Sequence, residues 1–365
     1  MKRLWILSVL ILAVLVRCAP ATTEPTTAPT STSVAEPTPK APRELRVMTY
    51  GSFAISDEVV AEFEDANNAR LQFLDAGDTG QMVSQAILSK DNPQADVMYG
   101  IDNTFLSRAL EAGIFASYEA ENLDQIPDQY ELDDQHRVSP VDYGDVCLNY
   151  DKAYFADNDI PVPETLETLT DPVYSGLLVV ENPASSSPGL AFLLTTISTL
   201  GEDDHLDFWR GLVENELLVV DGWSTAYYSE FSGGVNSEGA RPIVVSYATS
   251  PAAEVYFSEE PLEESPTGAV VAPGTCFRQI EFVGILEGAE NRDLAEAFVE
   301  FALSDTFQAD IPLNMWVYPT NEAVELPEVF REFAIEAEEP ATMAVDAIEQ
   351  NREAWIEAWS DVVLR

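Results

Sequence analysis

Between residues 45 and 100 the sequence alternates short β-rich runs with helical periodicity, and this restricts the fold more than any other feature of the chain. Residues 45–50, Leu-Arg-Val-Met-Thr-Tyr, read as a strand. Residues 56–67 place apolar side chains at 59, 60 and 63, with Ser56 or Asp57 as N-cap, which is a helical pattern. A strand near 71–74, a helix near 81–89 and a strand at 95–100 follow. This order specifies an α/β domain on a mainly parallel sheet. Ligands of such sheets sit at the carboxyl ends of the strands. Those ends carry polar loops here, at 50–52, 75–78 and 101–103.

A second α/β pattern runs from residue 176 to 246: a strand at 176–180, helices from Pro188 and Asp203, a strand at 217–220, a helix near 224–229 and a strand at 243–246. Strands at 142–150 and 275–285 bracket it and read as crossovers between lobes. A helix at 293–303 and an amphipathic C-terminal helix complete the chain. The expected fold is α/β and two-lobed, each lobe a mainly parallel sheet flanked by helices, the two joined by two crossover strands. Lobe 1 comprises 44–142 and 284–365, and lobe 2 comprises 143–283. The 365 residues suffice for two such lobes. Trp209, Trp355 and Trp359 fall on apolar helical stripes and are expected in the core, with Arg352 covering the rim.

The N-terminus has a different character. Lys2 and Arg3 precede a thirteen-residue stretch from Leu4 to Val16, apolar but for Ser8, which is the length of a signal-peptide core and short of a membrane span. Cys18 follows at once, where a lipoprotein carries its lipid-modified cysteine, although Arg17 stands where a small residue is usual. Residues 1–17 are expected to be a signal peptide. Residues 18–43, rich in Thr, Pro and Ser, are expected to be a semi-stiff spacer that tethers the folded part to the membrane by that lipid.

The 64 acidic and 18 basic residues leave a formal net charge of −46. Such a surface repels nucleic acid and anionic headgroups. Three cysteines and two histidines, without CxxC or HxxxH spacing, argue against a structural zinc site, and no metal or cofactor is expected. There is no GxSxG, P-loop or GxGxxG, so binding without chemistry is the expectation, an extracellular hydrolase being the alternative from another class. Cys147 and Cys276 fall in the two crossovers; in an exported chain they either pair or remain buried thiols.

Several segments together carry a resemblance. They are Tyr50-Gly51-Ser52-Phe53, Gly100-Ile101-Asp102-Asn103, Asp142-Tyr143-Gly144, Ser186-Ser187-Pro188-Gly189-Leu190, Gly222-Trp223-Ser224-Thr225-Ala226-Tyr227, Ser246-Tyr247-Ala248-Thr249-Ser250-Pro251 and Trp316-Val317-Tyr318-Pro319. In this order they resemble the periplasmic thiamine-binding proteins of bacterial ABC importers, from about residue 45 to the end. The resemblance implies a type II periplasmic-binding-protein fold, thiamine or a phosphate ester of it in the cleft, and a membrane permease as partner. It maps the ligand site onto Tyr50, Asp78, Ser186, Trp223, Tyr247 and Trp316, with Asp102 close by. Two positions depart from the family: Ala253 stands in place of an aromatic, and Ile55-Ser56-Asp57 in place of a tryptophan.

The chemistry of these residues agrees. Thiazolium is a permanent cation without a donor hydrogen, which aromatic faces and a carboxylate hold best. The aminopyrimidine needs a stacking face and hydrogen-bond partners. Ser187 reads as the N-cap of a helix whose first residue is Pro188, an end suited to a hydroxyl or phosphate. A binding protein for a polyamine or for ferric iron remains the nearest alternative. An iron site would use adjacent tyrosines, and Tyr227-Tyr228 are adjacent.

Overall fold

The structure, a computed structural model, describes residues 41–235 and 237–365. The segment 1–17, Cys18 and most of the spacer lie outside the described residues. β1 (Arg43–Thr49) leads into α1 (Asp57–Asn67), β2 (Ala69–Asp75), α2 (Thr79–Leu88) and β3 (Val97–Asp102). Ser56 caps α1 by accepting from the Val59 N–H, as its position suggested. After α3 (Leu106–Ala112) and the short β4 (Phe115–Ala116) comes the long β5 (Ser139–Asp151).

The second pattern follows: α4 (Lys152–Asp157), β6 (Leu178–Glu181), α5 (Ser187–Leu200), α6 (His205–Glu214), β7 (Leu218–Val220), α7 (Trp223–Thr225), β8 (Ile243–Tyr247), α8 (Ser250–Tyr256) and β9 (Thr267–Val270). The helix expected near 224–229 is α7 running into a π-helical turn, Ala226–Glu230. β10 (Phe277–Leu286), α9 (Arg292–Ala302), α10 (Asp305–Asn314), β11 (Tyr318–Pro319), α11 (Glu328–Phe333) and α12 (Val345–Val363) complete the chain.

The strand order is β2-β1-β3-β10-β5-β8-β6-β7. β1 pairs in parallel with β2 and β3, and β6 in parallel with β7 and β8. β10 and β5 lie antiparallel between these two groups. β5 pairs with β10 along its first half and with β8 and β9 along its second, so the strand passes from one group to the other. β3 is buried along its whole length, as expected for a parallel strand covered on both faces.

Cys147 on β5 and Cys276, the residue before β10, form a disulfide with Cα atoms 4.3 Å apart. The register explains it, because Phe277 pairs with Val146 and brings the flanking cysteines together. Beside it Arg278 Nε meets Asp145 Oδ1 at 2.6 Å, and Asp145 Oδ2 accepts the Ala337 N–H at 2.7 Å. The crossovers are thus fastened by a covalent and an ionic link.

The expected core tryptophans are buried, and Trp209 meets Trp359 edge-on at 5.6 Å. α12 thereby packs on both α6 and α3. Arg352 does not cover a rim: it is buried, with its guanidinium 5.8 Å over the Phe105 ring, because its long stem follows α12 inward between those helices.

Candidate ligand-binding site

The carboxyl ends of β1 and β8, Glu281 of β10, the starts of α2, α5 and α7, and residues 314–317 converge on one cavity of about 410 Å³. That volume falls within the ~300–1,000 Å³ typical of small-molecule sites. Tyr50, Asp78, Trp223, Tyr247 and Trp316, all expected from the sequence, line it.

Tyr50 packs closely against the backbone of β3 at Gly100. Gly100 makes this approach possible, since a Cβ there would fall 2.2 Å from Tyr50 Cε1, and its φ of +91° suits glycine. The Tyr50 hydroxyl donates to Met315 Sδ at 3.6 Å. Tyr247 Oη donates to Gln279 Oε1 at 2.9 Å. Trp223 stacks on Tyr227 at 5.1 Å and 19°, and its Nε1 donates to Ser246 Oγ at 2.9 Å. The rings are therefore held in place by protein contacts of their own, which lowers the ordering cost of binding.

Trp316 is held in the left-handed region at φ +59°, uncommon for a bulky residue. Its neighbours enforce it. Thr249 Oγ1 donates to its carbonyl at 2.5 Å, and the indole packs on Phe330, Tyr256 and Phe257. A backbone strained at a cavity wall marks a position where placement matters more than local stability.

Asp78 is the N-cap of α2. Its Oδ1 accepts the Thr79 N–H at 2.9 Å and its Oδ2 the Trp223 N–H at 3.0 Å. Burial raises its pKa, opposed by those N–H donors. Two further contacts join the same sides: Gly80 N–H donates to Ser185 O at 3.0 Å, and Ser187 Oγ bonds Asp102 Oδ2. A Cβ on Gly80 would come within 2.7 Å of Ser185 O, so only glycine allows this closure. The cleft is closed.

Asp102 and Ser186 stand behind the cavity wall, both fully buried. The Asp102 carboxylate accepts from Thr104 N at 2.7 Å and from the Ser187 hydroxyl. This corrects the cap of α5: Ser186 is the N-cap and Ser187 the first helical residue, because the Ser187 hydroxyl is drawn to the buried Asp102 carboxylate instead of capping the helix.

The wall also holds Tyr227 and Tyr228, the adjacent tyrosines of the iron alternative, and residues that sequence reasoning did not single out as ligands: Glu281, Glu254, Phe257 and Met315. A signal for Glu281 exists, since an acid stands inside the apolar run Ile280-Glu281-Phe282-Val283 of a crossover strand. Phe257 follows Ala253 by four residues at the end of α8, and both line the cavity. An aromatic thus remains on that face although position 253 has lost one. Among the described residues the lining contains Asp78, Glu254 and Glu281 and no lysine, arginine or histidine.

Two parallel-strand groups, two shared antiparallel crossovers and a closed cleft lined with rings and acids define a two-lobed solute-binding protein. The chain belongs to the bacterial extracellular solute-binding protein family, whose model matches residues 92–337. It is 30% identical over 329 residues to the thiamine-binding periplasmic protein of Escherichia coli (strain K12), covering 88% of this chain and 94% of that one. Identity to the protein of the same name from Salmonella typhimurium is also 30%, with the same coverage. Among solved structures, a periplasmic thiamin binding protein superposes with a TM-score of 0.76 at 27% identity, over 90% of this chain and all of that one. The family is one of solute binders, not a class of enzymes.

Proposed function

We propose that this protein is the extracytoplasmic subunit of an ABC importer that captures thiamine between its lobes and delivers it to a membrane permease. The lobes are residues 44–142 with 284–365, and residues 143–283, and they hinge on β5 and β10. Residues 1–17 are removed on export, Cys18 carries the lipid, and residues 18–43 are the tether.

One observation carries the reading: the cavity combines four rings from separate segments, Tyr50, Trp223, Tyr247 and Trp316, with carboxylates and no basic side chain. That lining suits a flat aromatic cation. Each ring over a cation contributes about 0.5–2 kcal/mol. Asp78 is the acid that faces the cation, while Asp102 holds the Ser187 hydroxyl from behind. The ferric alternative is disfavoured by Tyr227, whose phenol donates to Glu254 Oε1 at 2.6 Å while its ring stacks on Trp223.

Calorimetric titration with thiamine, thiamine monophosphate, spermidine and ferric citrate tests the ligand. Saturable one-to-one binding of thiamine supports the reading, and heat from spermidine or ferric citrate alone would refute it. Mass spectrometry of the N-terminal peptide, alongside a Cys18→Ser variant that should leave the membrane fraction, tests the anchor.

A further inference from the structure

Glu281 lies at an irregular point of the sheet. Between Glu281 and Phe282 the pairing of β10 with β5 shifts register, from Asp142 to Pro140. One residue further on, its pairing with β3 also shifts, from Ile101 to Tyr99. Val141 and Gly100 are the extra residues. Bulges of this kind turn a side chain out of the regular pleat and are frequent beside functional sites.

Glu281 lines the cavity and is 7% exposed, yet its Oε2 has no hydrogen-bond partner among the described residues. Its register partner is a second acid, Asp142, which is 1% exposed. Asp142 Oδ2 accepts from Tyr99 Oη at 2.8 Å, while its Oδ1 is likewise without a partner. The groups facing this pair are Tyr50 from the end of β1, Tyr99 and Asp102 from β3, Asp78 from the start of α2 and Tyr247 from β8. None is basic. Two buried carboxyls without a cation cannot both be charged at low cost. Burial raises Asp142 to about 7, and burial followed by the charge of Asp142 raises Glu281 well above the usual carboxylate range.

We propose that Glu281, paired with Asp142, is a further ligand-binding group of this cavity, which exchanges a proton for the positive charge of the bound cation. While the cavity is empty the two carboxyls hold a proton between them. When the cation enters, one carboxyl O–H bond breaks, the proton leaves to solvent, and the resulting carboxylate faces the cation without forming a covalent bond. The inference rests on the thiamine reading and deepens it: the site selects a fixed cation and disfavours a phosphate ester. At the start of α5 the Ser187 hydroxyl, which a phosphate could otherwise have engaged, is already bonded to the Asp102 carboxylate.

The test is calorimetry of the purified protein with thiamine at pH 7, in two buffers of different ionisation enthalpy. The expected result is a buffer-dependent heat equal to the release of about one proton per thiamine. Affinity should rise with pH by up to about tenfold per unit while the pair still carries its proton. Glu281→Gln should remove most of the proton release and weaken binding, and Asp142→Asn should also suppress the release. Thermal unfolding of both variants verifies folding. Thiamine binding with equal heats in the two buffers overturns the proton exchange and leaves the thiamine reading intact. Unchanged affinity and proton release in folded Glu281→Gln overturn the role of Glu281. No binding of thiamine at any pH overturns the thiamine reading and this inference with it.

Discussion

The Asp78 carboxylate accepts the Trp223 N–H at 3.0 Å, so an acid of the cavity wall also fastens the start of α2 to the start of α7 across the cleft. A single residue therefore lines the cavity and ties its two sides together. Asp78→Asn keeps an acceptor for the cap and removes the charge. The loss is then the Coulomb attraction between Asp78 and the cation, about 1–4 kcal/mol at ~4 Å between bulk water and a partly screened site, so thiamine affinity should fall roughly tenfold or more in calorimetry.

Trp223 combines a stack on Tyr227 with an anchored Nε1. Replacement by alanine should cost the ring contact, about 0.5–2 kcal/mol, or roughly two- to thirtyfold in affinity. Replacement by phenylalanine keeps a face but loses the bond to Ser246, so its loss should be smaller. Quenching of tryptophan fluorescence on thiamine addition should shrink most in the Trp223 and Trp316 variants.

Phe257 meets Trp316 at 5.3 Å and lines the cavity one helical turn from Ala253. If it takes over the role of the missing aromatic, Phe257→Ala should weaken thiamine binding severalfold, whereas Phe257→Tyr should not. Calorimetry of the two variants side by side decides this.

Arg137 holds Asp133 below the usual carboxylate range despite its burial, and Arg43 lowers Asp293, whereas burial pushes Asp78, Asp102, Asp142, Glu181, Glu254 and Glu281 up. An acid raised on folding binds its proton more tightly in the folded state. Its stabilising contribution is complete below the unfolded value, near ~4, and is lost as pH climbs through the folded value, about 7 for Asp142. The unliganded protein should thus melt several degrees lower at pH 8 than at pH 5. Asp142→Asn should reduce that difference, and added salt should raise Tm at both pH values by screening the net charge of −46.

The disulfide between Cys147 and Cys276 closes a loop with a sequence separation of 129. Constraint of so long a loop in the unfolded chain is worth about 5 kcal/mol on loop entropy, and measured losses run from ~2 to 5 kcal/mol. The Cys147→Ser, Cys276→Ser double variant should show that loss in denaturant unfolding.

Much of this was legible in the sequence. Alternating apolar runs and caps announce the elements of both lobes, because strand and helix periods are local properties. Tyr50, Trp223, Tyr247 and Trp316 were singled out through the resemblance their segments carry, and all four line the cavity. The crossovers at 142–150 and 275–285 stood out as strands lying outside the two α/β repeats.

What lies behind those residues depended on register. That Asp142 stands opposite Glu281, that Cys147 meets Cys276, and that Asp102 faces Ser187 instead of the cavity follow from which strand lies next to which. Pairing between residues more than a hundred positions apart leaves no local mark, since either side chain alone is equally compatible with a solvated face. Only tertiary structure brings two acids together beneath four rings and removes the water that would have let both stay charged.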